Sequence, residues 1–197
     1  MSYPQAVSVT DIHQALSDHQ WDALIVIAPQ FDLPQAAGLS QFIANAIRVD
    51  ARVGKQTVLL ICDQVPGDRL IVAPAGDVNG DYADARNFGD AANKAVAMAR
   101  DAGAKRPLLW IAGVPDQSLF HFAAQVSYLA ATQSLWQPLE ARECRQEAIE
   151  PIEAIGIYSE QALDSAWLNA LEAGRRLARD LCGTEPERMA QIGRAHV

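Results

Sequence analysis

The hydrophobic pattern is most regular between Arg69 and Gly113. Two short runs, Leu70–Ala73 and Leu108–Ala112, are apolar at every position, which is typical of strands covered on both faces. Between Ala85 and Ala102, apolar residues recur at steps of three and four and so form one stripe on a helix. This strand–helix–strand order predicts a crossover unit of an α/β domain.

The ends of this central helix carry their own signals. Asp81 is predicted as its N-cap, and Asp84 would add negative charge where the helix dipole favours it. Gly103 suits the position just after the last turn.

The chain before this unit alternates between helical and strand-like segments. The predicted elements are a helix over Val9–His19, a strand over Trp21–Ala28, a loop over Phe31–Gly38, a helix over Leu39–Val49 and a strand over Thr57–Cys62. Pro66 and Gly67 form a strong turn signal. We therefore expect Thr57–Cys62 and Arg69–Ala73 to be neighbours, as in a hairpin.

The segment from Gln117 to Pro138 contains no Asp, Glu, Lys or Arg. A transmembrane helix needs about 20 mainly apolar residues, and polar side chains interrupt this segment too often. We predict a buried helix over Gln117–Trp136 that is covered on more than one side. The predicted covers are the sheet and either a partner subunit or a domain outside this chain.

The C-terminal part is predicted to contain two strands and a long helix. Gln137–Glu150 is polar and charged and is read as an exposed strand and turn around Leu139–Cys144, and Ile152–Tyr158 as the last strand. The helix would be capped by Ser159, run to about Leu181 and end at Gly183. Its predicted packing face is Leu163, Trp167, Ala170, Leu171, Gly174, Ala178 and Leu181. Together these elements form an α/β sandwich.

Within that helix, Gly174 is predicted to allow close approach of another element. The arginines Arg175, Arg176 and Arg179 are read as charges that complement the end of the helix dipole.

Composition narrows the class of protein. The 197 residues suffice for one domain, or for one domain with an extension. Hydrophobic residues make up 50% of the chain, which is enough for a core. The net charge of −8 argues against a nucleic-acid partner. The N-terminus lacks a basic start and a long apolar core, so no signal peptide is expected.

Candidate chemistry is sparse. Each histidine (His13, His19, His121, His196) stands outside any metal-binding motif, and the cysteines Cys62, Cys144 and Cys182 form no CxxC pair, so idle thiols in a reducing cytoplasm are expected. Asp77, Asp81 and Asp84 lie close in sequence, but turn and cap roles explain them better than a metal site. The loop Ala75–Gly80 lies where phosphates bind in some α/β folds, yet it lacks both glycine-rich patterns.

Three stretches together resemble one known family. They are Ile71–Phe88 (IVAPAGDVNGDYADARNF), Gly103–Leu109 (GAKRPLL) and Ala173–Ala190 (AGRRLARDLCGTEPERMA). The first two are similar to the N-terminal domain of the leucyl (cytosol) aminopeptidase family, closest to its divergent branch of probable aminopeptidases. The third resembles the connector to that family's catalytic domain, with Gly-x-x-x-Ala-Arg-Asp-Leu at Gly174–Leu181. Gly183 and Pro186 depart from the Asn and Pro that many members have.

The resemblance covers residues 21–190 and implies a cytoplasmic, two-domain metallopeptidase that forms hexamers. Its catalytic domain would hold two divalent metals, Zn or Mn, through carboxylates and a lysine, and release N-terminal amino acids from peptides. The family's metal-binding motif, Asn-Thr-Asp-Ala-Glu-Gly-Arg, would follow residue 190 and does not occur here. No catalytic, cofactor-binding or metal residue can therefore be assigned to any position of this chain, and the chain alone is predicted to be inactive.

The implied fold class is α/β: a macro-like three-layer sandwich with a mixed sheet, followed by a long connector helix. The predicted division is a domain over residues 1–158, a connector over 159–190 leading to an absent catalytic domain, and an artefactual tail over 191–197. Residues 192–197 (IGRAHV) look like one reading frame of a sequencing adapter. The alternative for this end is a natural short C-terminus.

Two alternative functions remain open at this point. One is a free-standing macro-type domain that binds ADP-ribose or a related nucleotide. The other is a pure oligomerisation module. For each reading the expected partners exclude nucleic acid and membranes.

Overall fold

The computed structural model describes residues 3–145 and 149–189. The predicted fold class is confirmed: the chain forms an α/β sandwich around a six-stranded mixed sheet. The strands are β1 (Gln5–Val9), β2 (Ala23–Ala28), β3 (Val58–Ile61), β4 (Arg69–Pro74), β5 (Pro107–Ile111) and β6 (Ala154–Ser159). The helices are α1 (Ile12–Ser17), α2 (Ala37–Val49), α3 (Ala85–Asp101), α4 (Ala123–Leu135), α5 (Leu139–Cys144), α6 (Ser165–Gly183) and α7 (Pro186–Met189). Short 3₁₀ turns occur at Pro34–Ala36, Pro66–Asp68 and Ser118–Phe120.

The strand order is β1-β6-β5-β2-β4-β3. All neighbouring strands run parallel except β3, which pairs antiparallel with β4. The predicted hairpin around Pro66 is therefore confirmed. The sheet has β1 at one edge and β3 at the other.

Helices cover both faces of the sheet, as expected when parallel strands read as continuous apolar runs. In β2 every residue is buried, and side chains alternate between the two faces. Ile25 and Ile27 pack in one core with α3 and α4, whereas Leu24 and Val26 pack in the other core with α1 and α2. The result is three layers, α/β/α.

Helix α4 packs chiefly against α3. Gly89 lets α3 approach it so closely that an added Cβ would lie 3.0 Å from Cγ1 of Val126. Its buried hydroxyl groups are satisfied locally, since Ser127 donates to the carbonyl of Ala123 and Thr132 to that of Tyr128. Leu119 and Phe122, just before α4, are 61% and 55% exposed, so the expected cover from outside the chain stays a prediction.

One side chain covers part of the β1 edge of the sheet. Asn169 of α6 accepts from the Ala6 N–H (2.8 Å) and donates to the Ala6 carbonyl (3.1 Å), so its amide replaces one residue of a neighbouring strand. The hydroxyl of Tyr128 donates to Asn169 Oδ1 (3.2 Å) and to the carbonyl of Pro4 (2.8 Å). An edge strand that would otherwise offer free backbone groups is thereby occupied.

Several predicted elements differ from the structure. Strand β1 was not predicted: no element was assigned before Val9, where the predicted helix begins. Leu139–Cys144 is a helix, not a strand. Ser159 ends β6, and the cap of α6 is Asp164, whose side chain accepts from the Trp167 N–H.

The cap of α3 is also shifted by three residues. Asp84 rather than Asp81 is the N-cap, because it forms a capping box with Asn87: each side chain bonds the other residue's backbone N–H. Gly103 follows the helix with φ of +84°, as predicted for the residue after the last turn.

The Asn169 contact leads to a stability prediction. Asn169→Asp keeps an acceptor for the Ala6 N–H but places a carboxylate oxygen against the Ala6 carbonyl. We expect a loss of about 2 kcal/mol in the free energy of unfolding, measured by urea denaturation. The matched control is Asn45→Asp on the exposed side of α2, which should change stability by less than about 0.5 kcal/mol. Equal effects of the two changes would show that the bridge to β1 contributes nothing.

Candidate interaction site

Helix α6 is amphipathic, but charged side chains rather than apolar ones make up most of its buried side. Its buried residues are Leu168, Glu172, Arg176 and Asp180, which follow one another at steps of four. Apart from Leu168 these side chains are charged. The side of the helix that faces the domain is therefore mainly polar, and the apolar side faces outward.

Glu172 is the most deeply buried of these charges, with only 1% of its side chain exposed. Its carboxylate pairs with Arg175 (3.2 Å) and with Arg179. Arg175 also donates to the carbonyl of Leu129 in α4 (3.0 Å), so the cluster ties α6 to the neighbouring helix. A buried carboxylate that is paired in this way avoids the cost of an isolated buried charge.

The next turn of α6 is fixed by Arg176. Its guanidinium pairs with Glu150, and both side chains are about nine-tenths buried. The other oxygen of Glu150 accepts from the Gln137 N–H (2.9 Å). This pair therefore connects α6 to the segments before α5 and before β6.

The last of the buried charges, Asp180, lies among donors from two other elements. It pairs with Arg142 of α5, and its Oδ1 accepts from the indole N–H of Trp136 (2.7 Å). Burial alone would raise the pKa of Asp180, but the hydrogen bonds from Arg142 and Trp136 lower the pKa below its usual value. The carboxylate thus remains charged in the folded protein.

The opposite side of α6 carries an exposed apolar stripe, which we call the α6 seam. Its members are Trp167, Ala170, Gly174, Leu177, Ala178 and Leu181, each of which is exposed. The three large side chains, Trp167, Leu177 and Leu181, are 51%, 60% and 48% exposed. Trp167, Gly174 and Leu181 are spaced by sevens, and Ala170 and Leu177 lie between them at the same interval. This is the seam that a helix presents to a packed partner.

Gly174 lies at the centre of the seam, where an added Cβ would meet nothing within 4 Å. The prediction that Gly174 packs closely against another element of this chain is therefore wrong. The face predicted to pack inward is, for the most part, the face turned outward. A signal for this was present in the sequence: Glu172, Arg176 and Asp180 recur at steps of four and so share one face.

The other sequence candidates do not assemble into a chemical site. The side-chain amide of Asn87 donates to the carbonyls of Ala75 and Asp77 (both 3.3 Å), so it holds the Ala75–Gly80 loop in place. Asp77 accepts from the Asn79 N–H within a turn. Cys62 is buried, whereas Cys144 and Cys182 are exposed and all three are free. His196 lies outside the described residues.

An open cleft of about 790 Å³ lies beside this loop, between α3 and the turn before β3. Its charged lining residues are Lys55, Arg86, Lys94, Asp84 and Asp90. Positive and negative charges are mixed, and Arg86 is already paired with Asp84 (2.7 Å). The cleft therefore does not single out an anionic ligand.

Metal binding and membrane crossing find no support in residues 3–145 and 149–189. No group of three or more His, Cys, Asp or Glu side chains there could hold a metal ion. The helices in the same part of the chain are too short or too polar to span a bilayer.

Comparisons with known proteins agree with this architecture. No family model matches the chain. A Caenorhabditis elegans protein named as a putative aminopeptidase is 30% identical over 189 residues, which cover 89% of this chain and 35% of that protein. The present chain thus spans about a third of the length of this relative.

Solved structures share the fold. A mutant of tomato leucine aminopeptidase matches 96% of this chain and 40% of its own, with a TM-score of 0.66 and 15% identity. An alphavirus structure titled P23pro-zbd matches 94% of this chain and 25% of its own, with a TM-score of 0.50 and 13% identity. A macrodomain mutant from Oceanobacillus iheyensis covers 88% of this chain with a TM-score of 0.49 and 12% identity.

The chain therefore has the α/β fold found in the N-terminal region of leucine aminopeptidase. Most of the chain is similar to a protein named as a putative aminopeptidase, and the predicted resemblance to the leucyl aminopeptidase family is confirmed.

The open surface at Gly174 predicts the effect of a substitution. Gly174→Ala in this chain should raise the free energy of unfolding by up to about 1 kcal/mol, because alanine favours a helix and meets no steric obstacle. The measurement is the midpoint of thermal unfolding. Gly89→Ala is the matched control, since the added Cβ would press on Val126 and should gain less or destabilise. A lower midpoint for Gly174→Ala would show that the seam is covered.

The pairing of Asp180 predicts a pH dependence. Its folded pKa is lowered, so its contribution is present above the unfolded pKa of about 4 and is lost as pH falls toward the folded pKa. Asp180→Asn should cost roughly 2–3 kcal/mol at pH 7, because Arg142 loses its partner. Denaturation at several pH values should show this cost shrinking below about pH 4. A cost that stays constant into acid would contradict the assignment.

Proposed function

We propose that this chain is the non-catalytic N-terminal domain of a metal-dependent aminopeptidase that releases N-terminal amino acids from peptides. The observation that carries the proposal is the relation to an aminopeptidase of which this chain spans only 35%. In this reading the two divalent metals, Zn or Mn, are bound by a domain outside the 197 residues.

The described residues do not fit the metals themselves. A catalytic metal site needs about three protein ligands that converge on one point, with an open position for water. The described part of this chain contains no such group. No step of peptide hydrolysis is therefore assigned to a residue of this chain.

The role proposed for the domain is to carry the catalytic domain on the α6 seam. The seam exposes a tryptophan and two leucines along one side of a helix, which is an apolar surface that a soluble protein usually covers. Because Arg176 and Asp180 on the other side of α6 are paired with Glu150 and Arg142, the helix cannot turn this seam inward without breaking these pairs. A neighbouring domain of the same protein is the occupant that the length of the relative supports.

Further expectations accompany the proposal. The full-length protein would form hexamers and act on peptides in the cytoplasm, as the family resemblance implies. The charge of −8 is consistent with a protein that does not bind nucleic acid.

An activity assay tests the proposal that this chain has no peptidase activity of its own. The purified chain is expected to hydrolyse no leucine chromogenic substrate above a blank, with either Mn²⁺ or Zn²⁺ added, because the metal-binding carboxylates are not in its described part. The control is an active leucine aminopeptidase in the same buffers. Turnover that persists through purification and is abolished by a chelator would contradict the proposal.

A ligand titration distinguishes the main alternative. Calorimetric titration with ADP-ribose is expected to give no heat of binding. Saturable binding with one site per chain would favour a nucleotide-binding macro-type domain instead.

A further inference from the structure

The two edges of the sheet differ in whether another part of the chain covers them. The β1 edge is occupied by the side-chain amide of Asn169. The β3 edge has no corresponding cover in the described part of the chain: β3 pairs with β4 on one side only. An uncovered edge strand offers its backbone groups to another strand.

The backbone of β3 presents alternate residues to that open side. The Cys62 N–H donates to the Asp68 carbonyl (3.0 Å), so Cys62 faces β4. In an antiparallel ladder, inward-facing and outward-facing residues alternate. Leu60 and Val58 therefore face β4 as well, whereas the N–H and C=O groups of Leu59 and Ile61 point away from the sheet.

The side chains of the outward-facing residues are exposed too. Leu59 is 41% and Ile61 is 87% exposed. Residues 57–62 (TVLLIC) contain no charge, proline or glycine, the features with which edge strands usually prevent pairing. Charges occur only just outside this segment, at Lys55 before it and Asp63 after it.

These two flanking charges are placed symmetrically about Leu59, and both side chains are exposed. If β3 met a second β3 in antiparallel orientation around Leu59, then Thr57 would lie opposite Ile61, and the turn that carries Lys55 would lie beside the turn that carries Asp63 of the other copy. The outward-facing residues of both strands would be opposite each other, as hydrogen-bonded pairs require. Neither Lys55 nor Asp63 forms an ion pair within residues 3–145 and 149–189.

We propose that β3 pairs antiparallel with β3 of a second copy of this chain, across a two-fold axis at Leu59. The pairing joins two six-stranded sheets into one and consumes both open edges, so it closes at a dimer. It leaves the α6 seam free and goes beyond the proposed function, because it depends only on the edge of the sheet.

Cysteine cross-linking tests the pairing and its register. In a Cys144→Ser, Cys182→Ser background, which leaves only the buried Cys62, Leu59→Cys places two thiols opposite each other on the axis. Mild oxidation should convert most of the chain into a disulfide-linked dimer. Ile61→Cys should form little dimer although position 61 is more exposed, because its two copies would lie about 13 Å apart.

Charge reversal provides an independent test, in which sedimentation equilibrium measures the dimer dissociation constant. Lys55→Glu and Asp63→Lys should each raise the dimer dissociation constant roughly tenfold, and the double reversal should restore it to within about threefold, since the charges pair between copies. Leu177→Lys on the α6 seam is the control that should leave the dimer intact. A monomer at all concentrations, more dimer with Ile61→Cys than with Leu59→Cys, or a double reversal weaker than either single change would overturn the proposal.

Discussion

The arrangement of the C-terminal half depends on the burial of paired charges beneath α6. Glu172 is nearly inaccessible to solvent and is bonded to two arginines, while Arg176 and Asp180 are paired with residues from other elements. Removing one member would leave a buried charge without a partner, which is far more costly than losing an exposed ion pair. The pairs that Arg176 and Asp180 form with other elements, together with the Arg175 bond to Leu129, hold the polar side of α6 against the domain. Its apolar side is turned outward as a consequence.

The same orientation explains two features that otherwise look unrelated. Asn169 reaches the edge of β1, and Arg175 reaches the carbonyl of Leu129 in α4. Helix α4 itself packs chiefly against α3. The exposed apolar surface includes the α6 seam and the open edge of β3.

The sequence predicts the centre of this fold better than its margins. Helix α3 is predicted almost to the residue, because its small side chains keep a helical period between two strands that are apolar throughout. Strand β1 was not predicted because it lies at the edge of the sheet, where buried and exposed residues do not alternate regularly. The orientation of α6 could not be predicted from hydrophobicity. Apolar faces usually turn inward, but here the polar face does so because its charged side chains pair with residues of α5 and of the segment before β6. The four-residue spacing of Glu172, Arg176 and Asp180 places these charges on one face, but their partners Glu150 and Arg142 are distant in sequence.

The most direct test of the outward-facing seam is the solvent accessibility of Trp167. Trp21 and Trp110 are buried and Trp136 is half-buried, whereas Trp167 is 51% exposed. Acrylamide quenching of tryptophan fluorescence should therefore reveal an accessible component in this chain that is much reduced in Trp167→Phe. If Trp167→Phe leaves the quenching unchanged, the seam is covered in the chain as it stands, and the inverted orientation of α6 is wrong.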